Sequence, residues 1–406
     1  MTPYFSRNQK VLAATDAAST DRLLYIDNLR IFLTALVVVH HLIVAYGGFS
    51  GRWYYNDPGV IDSFSWYLMT FVALLNQSFF MGFFFLLSTY FSPGSYDRKG
   101  ARVYITSRLL RLGIPVLCYI VVINPVLSYI AWSQNAFEGS FIAFIPQYLF
   151  HYSGFDVGVL WFAAALLLFS VAYWLWCLLS NAVQKENSGL EKVRRRQIPC
   201  PNNKSIFCFC LLLGLLTFID RTFILRNWIL IRLGMPGGHF VQYVALAVIG
   251  ILTYRNRWLQ LLTKKQGQFW AWIAACLILL LPMILIGAGV PDGLFSPYGA
   301  NGGWGWRSLL VFALWEQFAC VSIIITLLMV FRGKFNYQTR LIRLMARNTY
   351  AVYVIHTPVV TLLVFLLRNI QLNSALKCLL VSPIAVTLCF LLAQIMMQLP
   401  SVRKVL

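Results

Sequence analysis

The chain is short of charge. Lys, Arg, Asp and Glu make up 11% of its 406 residues, against roughly 25% in an ordinary soluble domain. Hydrophobic residues make up 59%, and the mean hydropathy is +0.71. A soluble core has no means of hiding that much apolar surface, so lipid is the solvent for most of the chain. A single basic patch is also missing. The net charge is +20, but it lies in short runs between apolar segments. That excludes a nucleic-acid partner and matches the loops of a membrane protein. Paired cysteine spacing is absent. Eight of the nine cysteines fall in apolar segments and Cys200 falls in a basic loop, so neither a disulfide framework nor a zinc site is expected. Residues 1–24 lack a short apolar core before a cleavage site, and no cleaved signal peptide is expected. No internal repeat is visible, which removes the sequence mark of an inverted-repeat transporter.

What is present is a series of long apolar stretches. Ten are long enough to span a bilayer: 29–49, 65–91, 112–133, 159–181, 205–225, 239–254, 268–289, 307–331, 349–368 and 374–399. Each is judged against the roughly 20 residues a spanning helix needs. The fold class is therefore an all-α, polytopic membrane protein of about ten transmembrane helices. A tail of 1–28 precedes a membrane domain of 29–399, and 400–406 follows it.

Alternate loops are basic. Arg98, Lys99, Arg102, Arg108 and Arg111 follow the second span. Lys185, Lys192 and Arg194 to Arg196 follow the fourth, Arg255, Arg257, Lys264 and Lys265 the sixth, and Arg332 to Arg347 the eighth. The intervening loops carry Asp57, Asp62, Glu138, Asp156 and Asp292. The positive-inside rule places both termini in the cytoplasm. The group Asp220, Arg221, Arg226 and Arg232 fits this alternation least well.

The first span reads RIFLTALVVVHH from Arg30 to His41. Eleven helical steps bring about 1100° of rotation, only about 20° past three turns, and about 16 Å of rise. Arg30 and His41 therefore share a face, with Arg30 at the cytoplasmic edge and His41 near the midplane. His40 points about 100° away and is expected to pack elsewhere. Ionisable residues inside a membrane are functional sites by default. Two more lie deep in apolar segments, Glu316 in LWEQF and His356 in YVIHTP. Both fall roughly 11–15 Å into the membrane, so His41, Glu316 and His356 are expected at one level. Such a cluster can hold a histidine neutral as a general base. The alternative for Glu316 is a structural pair with an arginine. Pro358 is expected to loosen the helix near His356. In SRLLRLGIP, Arg108 and Arg111 are three apart and share a helix face, placed either to fork around phosphates or to anchor the interface.

These pieces, in this order, resemble the acyltransferase 3 family of multi-span bacterial enzymes. The resemblance runs from about residue 22 to 368. It rests on YIDNLR with the His40-His41 pair, FFFLLSTYFSPGSY with SRLLRLGIP, GVLWF at 158–162, QYVALAVIGILTYRN at 242–256, ALWEQF at 313–318 and NTYAVYVIHTPVV at 348–360. It implies an acyl-coenzyme A donor bound from the cytoplasm, with Arg108 and Arg111 near its phosphates. His41 would be the catalytic histidine and Arg30 its partner, with Glu316 and His356 at the same level and no metal. The acceptor would be a hydroxyl on an envelope carbohydrate or a small hydroxylated metabolite, and the location the plasma (bacterial inner) membrane. No carboxy-terminal extracytoplasmic hydrolase-like domain is expected, and the glutamate sits in ALWEQF rather than a WSLAVEEQF-like run. The outer stretch DGLFSPYGANGGWGWR, 292–307, fits either a sugar-stacking surface or an interfacial aromatic belt.

Two rival readings remain. In a proton-coupled transporter, His41, Glu316 and His356 would form a relay, but the cytoplasmic arginine pair would have no task. A sensor or scaffold would have no reason to align Arg30 with His41.

Overall fold

Capping side chains set several helix starts. Asp62 accepts from the Ser65 amide at 2.7 Å, Asn202 from the Ser205 amide at 2.9 Å, Thr339 from the Ile342 amide at 3.2 Å and Asn373 from the Ala375 amide at 3.0 Å. Each satisfies an amide that the first turn leaves without a helical partner. The computed structural model describes residues 23–47, 53–57, 59–133, 137–151, 157–186, 198–224, 237–287 and 305–406. Among these the chain is all-α, with one isolated bridge between Val60 and Asn373 and no strand.

The helices are α1 Leu24–Ala45, α2 Ser63–Tyr90, α3 Ser92–Ser133, α4 Phe141–His151, α5 Trp161–Glu186, α6 Asn203–Ile219, α7 Phe240–Arg255, α8 Lys264–Gly287, α9 Trp306–Lys334, α10 Arg340–Leu366 and α11 Ser374–Met396. Nine of those described are long and apolar enough to cross a membrane. The tenth expected span, 239–254, is the 16-residue α7. It packs along α2 with its backbone pressed close. A Cβ on Gly250 would collide with the Leu86 carbonyl, and one on Gly82 with Leu246. Thr89 Oγ1 donates to the Ala247 carbonyl across the same seam at 2.8 Å. Small residues and hydroxyls are how helices approach one another in lipid.

Burial separates two shells. In α1, α2, α9 and α10, between 61% and 72% of the most apolar stretch is buried. In α3, α5, α6, α8 and α11 the share is 22% to 39%, so these turn most of their surface toward lipid. α3 departs from a plain helix. It bends at Gly100 (φ 76°) and carries π-helical turns at Leu109–Gly113 and Tyr119–Ile123.

α1 begins five residues before the expected start of the span at 29. Its polar first turn is used rather than solvated. Asn28 Nδ2 donates to the Phe335 and Tyr337 carbonyls at 2.6 and 2.9 Å, tying α1 to the α9–α10 connection. The basic run from Lys192 to Arg196, together with Asp156, Arg226, Arg232, Asp292 and the outer stretch through residue 304, lies outside the described residues.

Candidate active site

Arg30 and Thr34 on α1, Arg108 and Arg111 on α3, and Arg347 on α10 line one cavity of about 450 Å³. α2 and α5 complete its walls, with Met81, Phe84 and Phe162 making the deep part apolar. The expected pairing of Arg108 and Arg111 on one face is seen, but through a π-turn. Arg111 lies inside Leu109–Gly113, where the widened helix carries both guanidiniums onto the same cavity. Arg108 is steadied by the Tyr104 ring, 5.4 Å from its guanidinium carbon. The arginines gather at one end of the cavity. Four cations against Asp27 give this cavity a strong attraction for a polyanion.

The cavity runs inward to Tyr350 and Tyr353 of α10. The GVLWF segment sets this end. The Tyr353 hydroxyl donates to the Val159 carbonyl. Gly158 adopts φ +48°, and a Cβ there would strike Tyr54 and Tyr119. One turn beyond Tyr353 is His356, fully buried. Its ring stacks on His41 with centroids 5.1 Å apart and planes at 23°. His356 Nδ1 lies 2.6 Å from the Tyr353 carbonyl. A carbonyl only accepts, so Nδ1 carries the proton and the neutral ring presents a bare Nε2. Nε2 has no hydrogen-bond partner among the described residues. Pro358 does not interrupt α10, which runs on to Leu366. Val359 and Val360 are buried, and their packing holds the turn that lacks an N–H.

His41 is half-buried, whereas His40 is 5% exposed with its ring 4.9 Å from Phe80. The two histidines thus part as their 100° separation requires. With α1 running Leu24–Ala45, His41 lies about 26 Å from the helix start and about 6 Å from its end. Trp53, from the segment after α1, stacks on it with centroids 4.5 Å apart and planes at 26°.

Glu316 does not join this pair. Its carboxylate accepts from Arg221 Nη2 at 2.6 Å and from Gln317 Nε2 at 3.1 Å, and Oε1 lies 3.2 Å from His239 Nδ1. Arg221 Nη2 is also 3.4 Å from that nitrogen. The expected three-residue cluster is therefore two sites. A chain of ring contacts, with Tyr243 stacked on Trp161 at 5.3 Å and Phe162 edge-on to Tyr353 at 5.7 Å, runs from one to the other. The arginine alternative for Glu316 is the observed one. Arg221 also ceases to be an anomaly of the charge alternation, because it is a buried partner rather than a loop charge.

The acyltransferase 3 family model, described as an acyltransferase domain, matches residues 23–394. The chain belongs to the acyltransferase 3 family. No curated protein and no solved structure matches it. Membership makes it a multi-pass membrane acyltransferase. Among the described residues of this acyltransferase, no cluster of three or more His, Cys, Asp or Glu is arranged to hold a metal ion. Sequence reasoning missed Arg221, His239 and Trp53. It counted Arg347 only as a loop charge. Helical spacing along α10 offered a signal for Arg347, since Tyr350, which lines the same cavity, is three residues on and shares its face. Trp53 and His239 precede or follow helices, where periodicity carries no information.

Proposed function

We propose that this acyltransferase moves an acyl group, an acetyl in the simplest case, from acyl-coenzyme A to a hydroxyl of an envelope carbohydrate or a small hydroxylated metabolite in the plasma membrane. The observation that carries the reading is the cavity that joins an arginine-lined mouth to Tyr353, one turn of α10 before His356. Arg108 and Arg111, with Arg30, would hold the donor's phosphates by charge-assisted hydrogen bonds. The pantetheine arm would lie along the apolar wall and bring the thioester to the histidines. Arg30 and His41 are about 16 Å apart along α1, a span that an extended arm of this kind covers.

His41 would act as the base. The acceptor oxygen loses its proton to the imidazole and bonds to the thioester carbon. The tetrahedral centre then expels the sulfur as the C–S bond breaks, and the imidazolium returns the proton to the thiolate. His356, its ring stacked on His41, would hold that imidazole in place. Glu316 would contribute through its pair with Arg221, fixing α6 and the entry to α7 against α9 rather than touching the acyl group. The transporter reading loses its relay, since Glu316 is engaged elsewhere.

The test is release of free coenzyme A thiol by the purified protein in liposomes, with a series of acyl donors and a membrane extract as acceptor. Wild type is expected to release thiol and His41→Ala to release none while remaining folded and inserted. Equal release by both would refute the assignment.

A further inference from the structure

Trp53 is placed to do more than pack. Its side chain is buried at 8% exposure, yet its indole Nε1 has no hydrogen-bond partner among the described residues. An indole N–H is a donor only, and leaving it buried and unpaired costs roughly 1–3 kcal/mol. Other buried indoles in this protein avoid that cost. Trp315 donates to the Leu277 carbonyl at 2.8 Å, Trp258 to the Ile198 carbonyl at 3.1 Å and Trp270 to Asn203 Oδ1 at 3.2 Å. Trp174 shares the unpaired condition, but on a half-buried face of α5. Trp53 alone of these indoles is stacked on His41.

The segment carrying Trp53 is held from several directions. The Trp53 amide donates to Asn56 Oδ1 at 3.1 Å. The Asp57 amide donates to the Ala45 carbonyl at the end of α1 at 2.9 Å. The Asp57 carboxylate pairs with buried Lys377 of α11 at 2.6 Å. The neighbouring Tyr54 hydroxyl donates to Asn124 Oδ1 at 2.7 Å. Such clamping preorganises the unused donor instead of letting it turn toward a backbone carbonyl.

We propose that Trp53 Nε1 is a catalytic hydrogen-bond donor to the acyl carbonyl oxygen as it becomes an oxyanion, an inference that rests on the acyl-transfer reading above. The two rings flanking His41 offer opposite functions: His356 presents an acceptor nitrogen, Trp53 a donor. The acceptor hydroxyl gives its single proton to His41, and a donor on its oxygen would lower its nucleophilicity. The carbonyl oxygen, which gains charge as the acceptor oxygen adds and loses it when the C–S bond breaks, needs the donor. A donor held in place before reaction contributes without reorganisation at the moment of charge development.

Two replacements of Trp53 test this. Trp53→Phe keeps a stacking ring and removes the N–H. Incorporation of benzothienylalanine at position 53 keeps the bicyclic shape and substitutes sulfur for N–H. Both are measured for thiol release in liposomes beside wild type and His41→Ala, with thermal unfolding followed in parallel. Loss of one oxyanion donor predicts a kcat lower by roughly 100-fold, with the donor KM unchanged and the unfolding temperature of the benzothienyl protein no lower than that of wild type. A benzothienyl protein that turns over at the wild-type rate overturns the proposal even where Trp53→Phe is unstable, because shape alone then suffices. A change confined to KM also overturns it, since it would place Trp53 in ground-state binding. A wild type that releases no thiol from any donor refutes the transfer reading and this proposal with it.

Discussion

Removing the charge of Glu316 gives the sharpest separation between a structural and a chemical carboxylate. The Arg221 and Glu316 side chains are 0% and 2% exposed. Truncating one member of such a pair leaves an uncompensated buried charge and costs about 3–5 kcal/mol. Glu316→Gln keeps an oxygen that still accepts from Arg221, so its loss falls at the low end, about 3 kcal/mol. Arg221→Met leaves the carboxylate with only His239 and Gln317 and falls at the high end. For a chain of this length, roughly 1–2 °C per kcal/mol places the drop in unfolding temperature at about 3–10 °C. The double replacement removes both charges and is expected to recover most of the stability, as apolar substitution of whole buried pairs does. Thermal unfolding in detergent measures the cycle, and thiol release in liposomes measures function beside it. Transfer is expected to return in the double variant. A double variant that is stable but inert would refute the reasoning, because Glu316 would then serve the reaction directly. Single variants as stable as wild type would refute the energetic half.

Three further outcomes follow from the same geometry. His40→Ala should lower stability through its contact with Phe80 while keeping most of the transfer that His41→Ala abolishes; equal losses in a thiol-release assay would overturn the helical-face assignment. Arg108→Ala and Arg111→Ala should each raise the donor KM by about tenfold with little change in kcat, one lost charge-assisted contact being worth roughly 1.5–3 kcal/mol, and a shorter donor lacking the nucleotide should show no difference between the variants and wild type. Gly250→Val should detach α7 from α2 and prevent recovery of folded protein, whereas Gly333→Ala, where a Cβ meets nothing within 4 Å, should be neutral by size-exclusion profile and unfolding temperature.

The sequence made the spans legible because lipid imposes a hydropathy and length rule on every crossing helix. It made Arg30, His41 and His40 legible because all three lie on one regular helix, where 100° per residue fixes the faces. Arg108 and Arg111 were found for a reason that is only half right, since a π-turn rather than an α-turn brings Arg111 to the cavity. Glu316 was recognised as expensive in hydrocarbon, but its partner was not. Arg221 is 95 residues away, and only the packing of α6 on α9 brings them together. The start of α1 was placed late because Asp27 and Asn28 read as loop residues, whereas the carbonyls of the α9–α10 connection satisfy Asn28. Trp53 has no periodic context at all, and its place on His41 comes from clamps reaching to Ala45, Asn124 and Lys377.

The contact of α1 with α10 carries a consequence for how the enzyme comes into being. α1 leaves the ribosome first, with Arg30 and two histidines on a helix bound for lipid, where such groups are costly when unaccompanied. Its companion α10, bearing His356 and Arg347, is made some 300 residues later. Until it arrives, the arginine-lined cavity lacks a wall and His41 lacks one of its two flanking rings. The cavity is therefore complete only once α10 docks, and a nascent chain presents a polar face within the membrane. That face is a physical mark by which an unfinished molecule differs from a finished one.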